Sequence, residues 1–347
     1  MKKRIACGAL VVILLLGNLS GCAAMKKQKY SAYSFDYFDT ASTITGYAES
    51  KEEFDQVADE ILAMLEEYHQ LYSIYHRFDG IENLCTVNEL VDGAHRKVKV
   101  DQKIIDLLLY AKEMYEKTDG VLNVAMGSVL SIWHDYRSIG MDAPEEASLP
   151  SMQILWEAAR HTDINNIEID EKASTVYIID ALTTIDVGAI AKGYATERIA
   201  RSLEEQGIDG YVLNIGGNVR TIGQKPDGEL WTIGIENPQG GDHLAYMELG
   251  GQSLVTSGSY QRYYTVDGKR YHHIIHPDTL MPAEGFLSVS VISGDSGLAD
   301  ALSTALFCMP LKEGRKMVAE LPDAEVMWVL EDGSQITSSG WDFYLKQ

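Results

Sequence analysis

Residues 253–275 read SLVTSGSYQRYYTVDGKRYHHII. Three short runs rich in β-branched and aromatic residues, Ser253–Thr256, Gln261–Val266 and Arg270–Ile275, predict strands. Asp267-Gly268 between the last two predicts a tight hairpin. The pattern continues outward, through Leu230–Glu236 and Leu244–Leu249 before this stretch and Phe286–Ser293 after it. Short strands that follow one another directly pair antiparallel, because parallel neighbours need long crossovers. Further upstream, Tyr37–Tyr47 and Tyr211–Ile215 read as strands, and residues 165–180 as a hairpin turning near Glu171–Ser174. The turn after Tyr211–Ile215, Gly216-Gly217-Asn218, suits a two-residue hairpin.

Helical periodicity frames these strands. Ser50 and Glu53 have capping-box spacing ahead of Phe54, Val57, Ile61, Leu62, Leu65, Tyr68 and Tyr72. Asp101 precedes a second stripe, Ile104, Ile105, Leu108, Ala111 and Tyr115, closed by Thr118-Asp119-Gly120. Asp295–Met309 and Leu311–Leu321 predict two more helices before a closing hairpin, and the polar run Ser138–Pro150 predicts a surface loop. Without internal repeats or a low-complexity linker, residues 35–347 are expected to form one compact α+β domain, with mainly antiparallel sheets and flanking helices.

The chain's 347 residues, 46% hydrophobic and 23% charged, have the composition and length of a globular protein with a sizeable core. Its first residues read as an export signal: Lys2, Lys3 and Arg4, an apolar run from Ile5 to Leu16, then Leu19-Ser20-Gly21-Cys22. That run, about a dozen residues long, is short for a membrane span. The ending resembles a bacterial lipobox, which implies cleavage after residue 21, lipid on Cys22, and a tether over residues 22–34. The expected location is the extracytoplasmic face of the cell membrane. The formal charge is −22, and losing residues 1–21, with three cations and no acid, leaves −25. So acidic a body argues against nucleic acid as a partner. An anionic ligand would need a local cation, most simply a metal. Cys85 and Cys308 are the cysteines left in the body of the chain; no C-x-x-C is present, and either a disulfide or two core thiols would fit.

Four places could carry chemistry. The first is the corner Thr184-Ile185-Asp186-Val187-Gly188-Ala189-Ile190-Ala191-Lys192-Gly193-Tyr194, where a predicted strand, Thr183–Val187, breaks into a predicted helix, Ala189–Gln206. A helix start exposes amides without internal partners and favours anions, although such corners also occur as plain turns. The second is Asp300 and Thr304, four apart on one helix face and both oxygen donors that suit Mg2+. An aspartate among Leu298, Ala299, Ala301, Leu302 and Ala305 must be paired, hydrogen-bonded or metal-bound if buried. The third is Thr256-Ser257-Gly258-Ser259, with hydroxyls at a glycine break. The fourth is His272-His273-Ile274-Ile275-His276, where strand alternation would put His272 and His276 on one face. That pair could hold zinc or iron, or one histidine could act as a general base.

Taken together and in order, FDTASTI, TDGVLNVAMGSVLSIW, TIDVGAIAKGYATE, VLNIGGNVRTIG, LWTIGIENP, VTSGSYQRYY, YHHIIHP and ADALSTALF resemble the ApbE family of FAD:protein FMN transferases. The resemblance runs over residues 38–308 and implies a T-fold-like architecture. It implies Mg2+ held by Asp300, Thr304 and the carbonyl of Ala189. Lys192 would face the FAD phosphates and Asp186 the nucleotide, Phe38 would lie near the flavin, and Ser257 and Ile274 would join the flavin-nucleotide site. His273 would deprotonate a threonine or serine hydroxyl of an acceptor flavoprotein, one belonging to an extracytoplasmic electron-transport complex. The hydroxyl would attack the FMN-side phosphorus of FAD, and AMP would leave. The chain departs from the usual family run at His276 and Leu280, where aspartate and glycine are commoner, and at Leu122-Asn123-Val124-Ala125, where Phe-Asp-x-Thr is. Other expectations compatible with this site are an FAD pyrophosphatase, with water as the acceptor, and a lipid-anchored protein that binds FAD without turnover.

Overall fold

The computed structural model describes residues 27–347. The expected signal peptide and lipid site at Cys22 fall outside the described residues. Eight strands form the central sheet: β1 (Gln28–Ser34), β2 (Ser42–Ala48), β3 (Tyr211–Ile215), β4 (Asn218–Ile222), β5 (Ser253–Gly258), β6 (Phe286–Ser293), β7 (Ala324–Leu330) and β8 (Gln335–Thr337). They lie side by side in sequence order, each antiparallel to the next. The α+β reading with mainly antiparallel sheets therefore holds.

Helices fill the gaps in this meander. Between β2 and β3 come α1 (Lys51–Tyr72), α2 (Leu84–Asn88), α3 (Gln102–Lys117), α4 (Gly127–Asp142), α5 (Met152–Ala159) and α6 (Ala191–Glu205). Between β6 and β7 come α7 (Ser296–Cys308) and α8 (Leu311–Ala319). Ser50 caps α1 by accepting from the Glu53 N–H, while the Glu53 carboxylate reaches the Glu49 N–H one residue before the cap. α1 packs on β2, α6 on β4, and α7 on β5 and β6.

Alternation along the strands buries both faces at the sheet centre. Val255, Val291, Val326 and Trp328 join the helices in the main core, while their neighbours Leu254, Ile292, Met327 and Val329 join a second core. That second core is closed by the hairpin Trp231–Ile235 and Ala245–Leu249 and by Trp341. A third core gathers Met126 at the N-cap of α4, Val129 and Trp133 within it, Leu155 of α5, and Tyr264, Ile275 and Leu280. The Trp133 indole N–H donates to the Leu280 carbonyl at 2.8 Å.

Four sequence expectations change. Gln28–Ser34, assigned to the tether, is instead edge strand β1. Its sequence QKYSAYS is largely polar, and only Tyr30 and Ala32 pack against the main core. Ser138–Pro150 is not all loop, since α4 continues to Asp142. α5 was not anticipated at all. Thr183–Val187 is extended but joins no ladder. The Asn88 side chain brackets Ile185, accepting its N–H and donating to its carbonyl, both at 2.8 Å. The Asp186 N–H goes to the Val124 carbonyl, and the Gly127 N–H to that of Thr184. A side-chain amide here occupies the place of a neighbouring strand. The two cysteines of the body are unpaired: Cys85 is half-buried and Cys308 buried.

Candidate active site

The corner ahead of α6 and the middle of α7 meet backbone to side chain. The Gly193 N–H donates to Asp300 Oδ2 at 2.7 Å. Glycine is required there, because a Cβ would lie 2.3 Å from Asp300 Cβ and 2.5 Å from the Ser296 carbonyl oxygen. The N–H of residue 193 would ordinarily bond the carbonyl four residues back, that of Ala189. Diverted to Asp300, it leaves the Ala189 carbonyl with no hydrogen-bond donor among the described residues.

Asp300 is 5% exposed. Burial raises its carboxyl above the ordinary range, opposed by Lys192, by the Gly193 N–H and by the Asn218 amide. One turn along α7, Thr304 Oγ1 lies 3.2 Å from Ser257 Oγ, which also meets Ser303 Oγ at 2.8 Å. A carboxylate, a hydroxyl and a bare carbonyl are hard oxygen donors of the kind Mg2+ takes, with its remaining positions left to water or phosphate. No group of three His, Cys, Asp or Glu side chains converges among the described residues, so the donor set is not that of a transition-metal centre.

The alternation expected for His272 and His276 does not arise, because the strand Lys269–His272 ends before His273. His272 stacks edge-on against Phe307 and bonds the Ala283 carbonyl at 2.8 Å. His276 Nδ1 accepts the Asp278 N–H. Each is occupied with local backbone. His273 differs. Its Nδ1 lies 3.3 Å from the Arg262 carbonyl, which can only accept, so the proton sits on Nδ1 and Nε2 carries the lone pair. Burial first, then Arg262, Arg137, His272 and Lys192, pushes its pKa down to about 3. The imidazole is therefore neutral at pH 7.

Asp186 accepts the Gly188 N–H at 2.8 Å and bends the corner. Burial raises its carboxyl, against the opposing pull of His134, Arg137 and Lys192. Lys192, Arg137 and Arg262 form no ion pair among the described residues. Three cations without an ion pair around one neutral histidine are unusual in a chain of charge −22. Arg137 meets His134 Nδ1 at 3.2 Å, and the His134 ring stacks on Tyr75 at 5.2 Å. These last four residues, Tyr75, His134, Arg137 and Arg262, escaped the sequence reading. His134 and Arg137 are three apart on α4, a shared-face spacing that would have shown only had a helix been read there. Tyr75 and Arg262 carry no sequence signal of their own.

Phe38 lies in a loop where it and Asp39 adopt positive φ of 54° and 50°. Its N–H donates to His69 Nδ1 at 3.1 Å, and the loop rests on the Gly216-Gly217 turn, where a Cβ at Gly216 would meet Thr40 Oγ1 at 2.3 Å. Ile274 is buried in the main core, so only its backbone is available to a ligand. A separate surface cavity of about 670 Å3, lined by Lys97, Lys112 and parts of the hairpin between Asn165 and Tyr177, shares no residue with this site.

Residues 38–328 match the model of the ApbE family. An FAD:protein FMN transferase of Klebsiella pneumoniae is 32% identical over 277 residues, covering 77% of this chain and 84% of that protein. One from Treponema pallidum is 28% identical over 348 residues, covering 95% and 92%. Among solved structures, the ApbE protein of Thermotoga maritima superposes with a TM-score of 0.80 at 32% identity, over 92% of this chain and 100% of that one. The flavin transferase ApbE from Vibrio cholerae gives 0.77 at 26% identity, over 92% and 100%.

Proposed function

The chain belongs to the ApbE family, and we propose that it transfers the FMN moiety of FAD onto a threonine or serine hydroxyl of an acceptor protein, releasing AMP, with Mg2+ as its cofactor. One observation carries this reading: the Gly193 N–H is turned onto the Asp300 carboxylate, which leaves the Ala189 carbonyl without a donor at the same helix start. Asp300, Thr304 and Ala189 would hold the metal. When bound, Mg2+ supplies charge neutralisation at the pyrophosphate.

The remaining work falls to this chain's own residues. Lys192 and the two free arginines attract and orient the phosphates in an otherwise repellent field. His273 Nε2 takes the proton of the acceptor hydroxyl. The new bond joins that oxygen to the FMN-side phosphorus, and the bridging oxygen departs with AMP. A base whose pKa lies near the working pH contributes about 10²–10⁴-fold, and His273 would approach that range once bound phosphates offset Arg262, Arg137 and Lys192, which now depress it. Positioning of the two reactants contributes the rest.

The acceptor would be an extracytoplasmic flavoprotein of an electron-transport complex, and this chain would be held to the membrane by lipid on Cys22. The lipobox-like Leu19-Ser20-Gly21-Cys22 supports that placement. Among the described residues no helix is long and apolar enough to cross a membrane.

The test is to mix the mature protein with FAD and Mg2+, with and without a candidate acceptor. Covalent FMN on the acceptor is expected. Free FMN and AMP without acceptor would instead indicate hydrolysis, and unchanged FAD would indicate storage.

A further inference from the structure

The Gly193–Asp300 contact has a counterpart one turn away on both helices. On α6, Glu197 follows Gly193 by four residues; on α7, Ser296 precedes Asp300 by four. The Ser296 N–H, unpaired within its own helix as a first-turn amide, donates to Glu197 Oε2 at 2.8 Å. Each helix thus offers a carboxylate to a backbone N–H of the other. Glu197 is 3% exposed and is held in turn by Arg220 of β4, also 3% exposed, at 3.0 Å, and by Arg201 at 2.8 Å. Arg220 continues to Glu204, and Arg201 to Asp295, the N-cap of α7. Burial alone would raise the Glu197 carboxyl, yet Arg220, Arg201 and the Ser296 N–H hold it below its ordinary range.

A buried ion pair is a poor source of net stability, because desolvation offsets the attraction. What this one does is fix the spacing and register of α6 against α7, and that register decides whether Asp300 can take the Gly193 N–H and bare the Ala189 carbonyl. We propose that Glu197, anchored by Arg220, is a positioning residue for the divalent-cation site, acting through the α6–α7 pairing rather than by touching the metal. The proposal rests on the metal reading given above.

The test replaces both charges at once, Glu197→Gln with Arg220→Met, so that no unpaired ion is left buried. Divalent binding is followed directly with Mn2+ by electron paramagnetic resonance in the presence of FAD, and FAD binding separately by fluorescence without metal. Wild type should bind Mn2+; if it does not, the metal reading itself fails. The folded double variant should bind Mn2+ about 10- to 100-fold more weakly, the range for lost outer-shell partners, with FAD affinity within about twofold of wild type. Wild-type Mn2+ affinity in a folded variant, or an equal loss of FAD affinity, would overturn the proposal. Should the variant fail to fold, amide exchange on the wild-type protein decides: Gly193 and Ser296 should gain protection together on adding Mn2+ and FAD. Protection of Gly193 alone would overturn it.

Discussion

At the scale of single residues the site depends on groups kept in states they would not hold in water. Asp300 is buried, with its charge opposed by desolvation and supported by Lys192 nearby. Removing the carboxylate in Asp300→Ala should abolish Mg2+-dependent turnover and cost about 1–3 kcal/mol of stability, since the buried Gly193 N–H loses its acceptor while Ala suits the helix. A variant that still responds to Mg2+ would take Asp300 out of the ligand set. His273 makes a different prediction. Unfolded, an imidazole takes up its proton near pH 6.5; folded, His273 does so only at about 3. In that interval the unfolded chain binds more protons, so this residue lowers stability as pH falls from about 6.5 towards 3. In the ligand-free enzyme its ring signals should therefore stay unchanged between about pH 5 and pH 8, where an ordinary histidine titrates. A midpoint near 6.5 by NMR would mean that the ring is solvated and free of the Arg262 carbonyl. His273→Ala should bind FAD yet leave the acceptor unlabelled.

Among elements, the corner between residues 183 and 193 has the most to explain, because it holds its shape without a sheet. Asn88, at the end of α2, makes both hydrogen bonds that a neighbouring strand would make to Ile185. Asn88→Ala would remove both and leave a buried N–H and carbonyl unpaired. A loss of about 2–4 kcal/mol follows, read as a lower urea midpoint at unchanged slope. The apparent FAD affinity should weaken too, since Asp186 and Ala189 lose their anchor. An unchanged midpoint would show that Val124 and Gly127 suffice to hold the corner. The same element marks how far the sequence was legible. Its β-branched run and glycine break were readable as strand-then-helix, because extended backbone is what those residues favour locally. That the extended stretch would pair with a side chain 97 positions away was not, for no local pattern encodes a long-range partner. Asp300 and Thr304 were legible because a four-residue spacing on a helix is a local fact. β1 was not, since an edge strand need bury little and so lacks an apolar alternation. Arg137 was missed because no helix was read over Gly127–Asp142, where residues 121–133 are small and apolar without a clear stripe and the polar run from Ser138 reads as loop.

At the level of the whole molecule, the site lies where two cores meet. α6 and α7 belong to the main core, which carries the proposed metal ligands. α4 and the hairpin Tyr263–Val266 with Lys269–His272 belong to the third core, which carries Arg137 and places Arg262 and His273. The second core, on the opposite face of the central sheet, contributes nothing to it. A ligand that bridges two separately packed units stabilises their pairing as well as each unit. At 100-fold saturation it adds about 2.7 kcal/mol by mass action, and that energy should appear where the bridge is. FAD with Mg2+ should therefore slow amide exchange in α4, in the hairpin around residues 263–272 and at the start of α6, together and to a similar degree. The strands Trp231–Ile235 and Ala245–Leu249 should exchange as before. Adding a chelator should reverse the protection of α6 first, since on the proposed reading its link to the ligand would run through the oxygens of Ala189 and Asp300. Protection spread evenly over all three cores would mean that the ligand acts on global unfolding alone, and protection confined to the second core would place its binding elsewhere in the molecule.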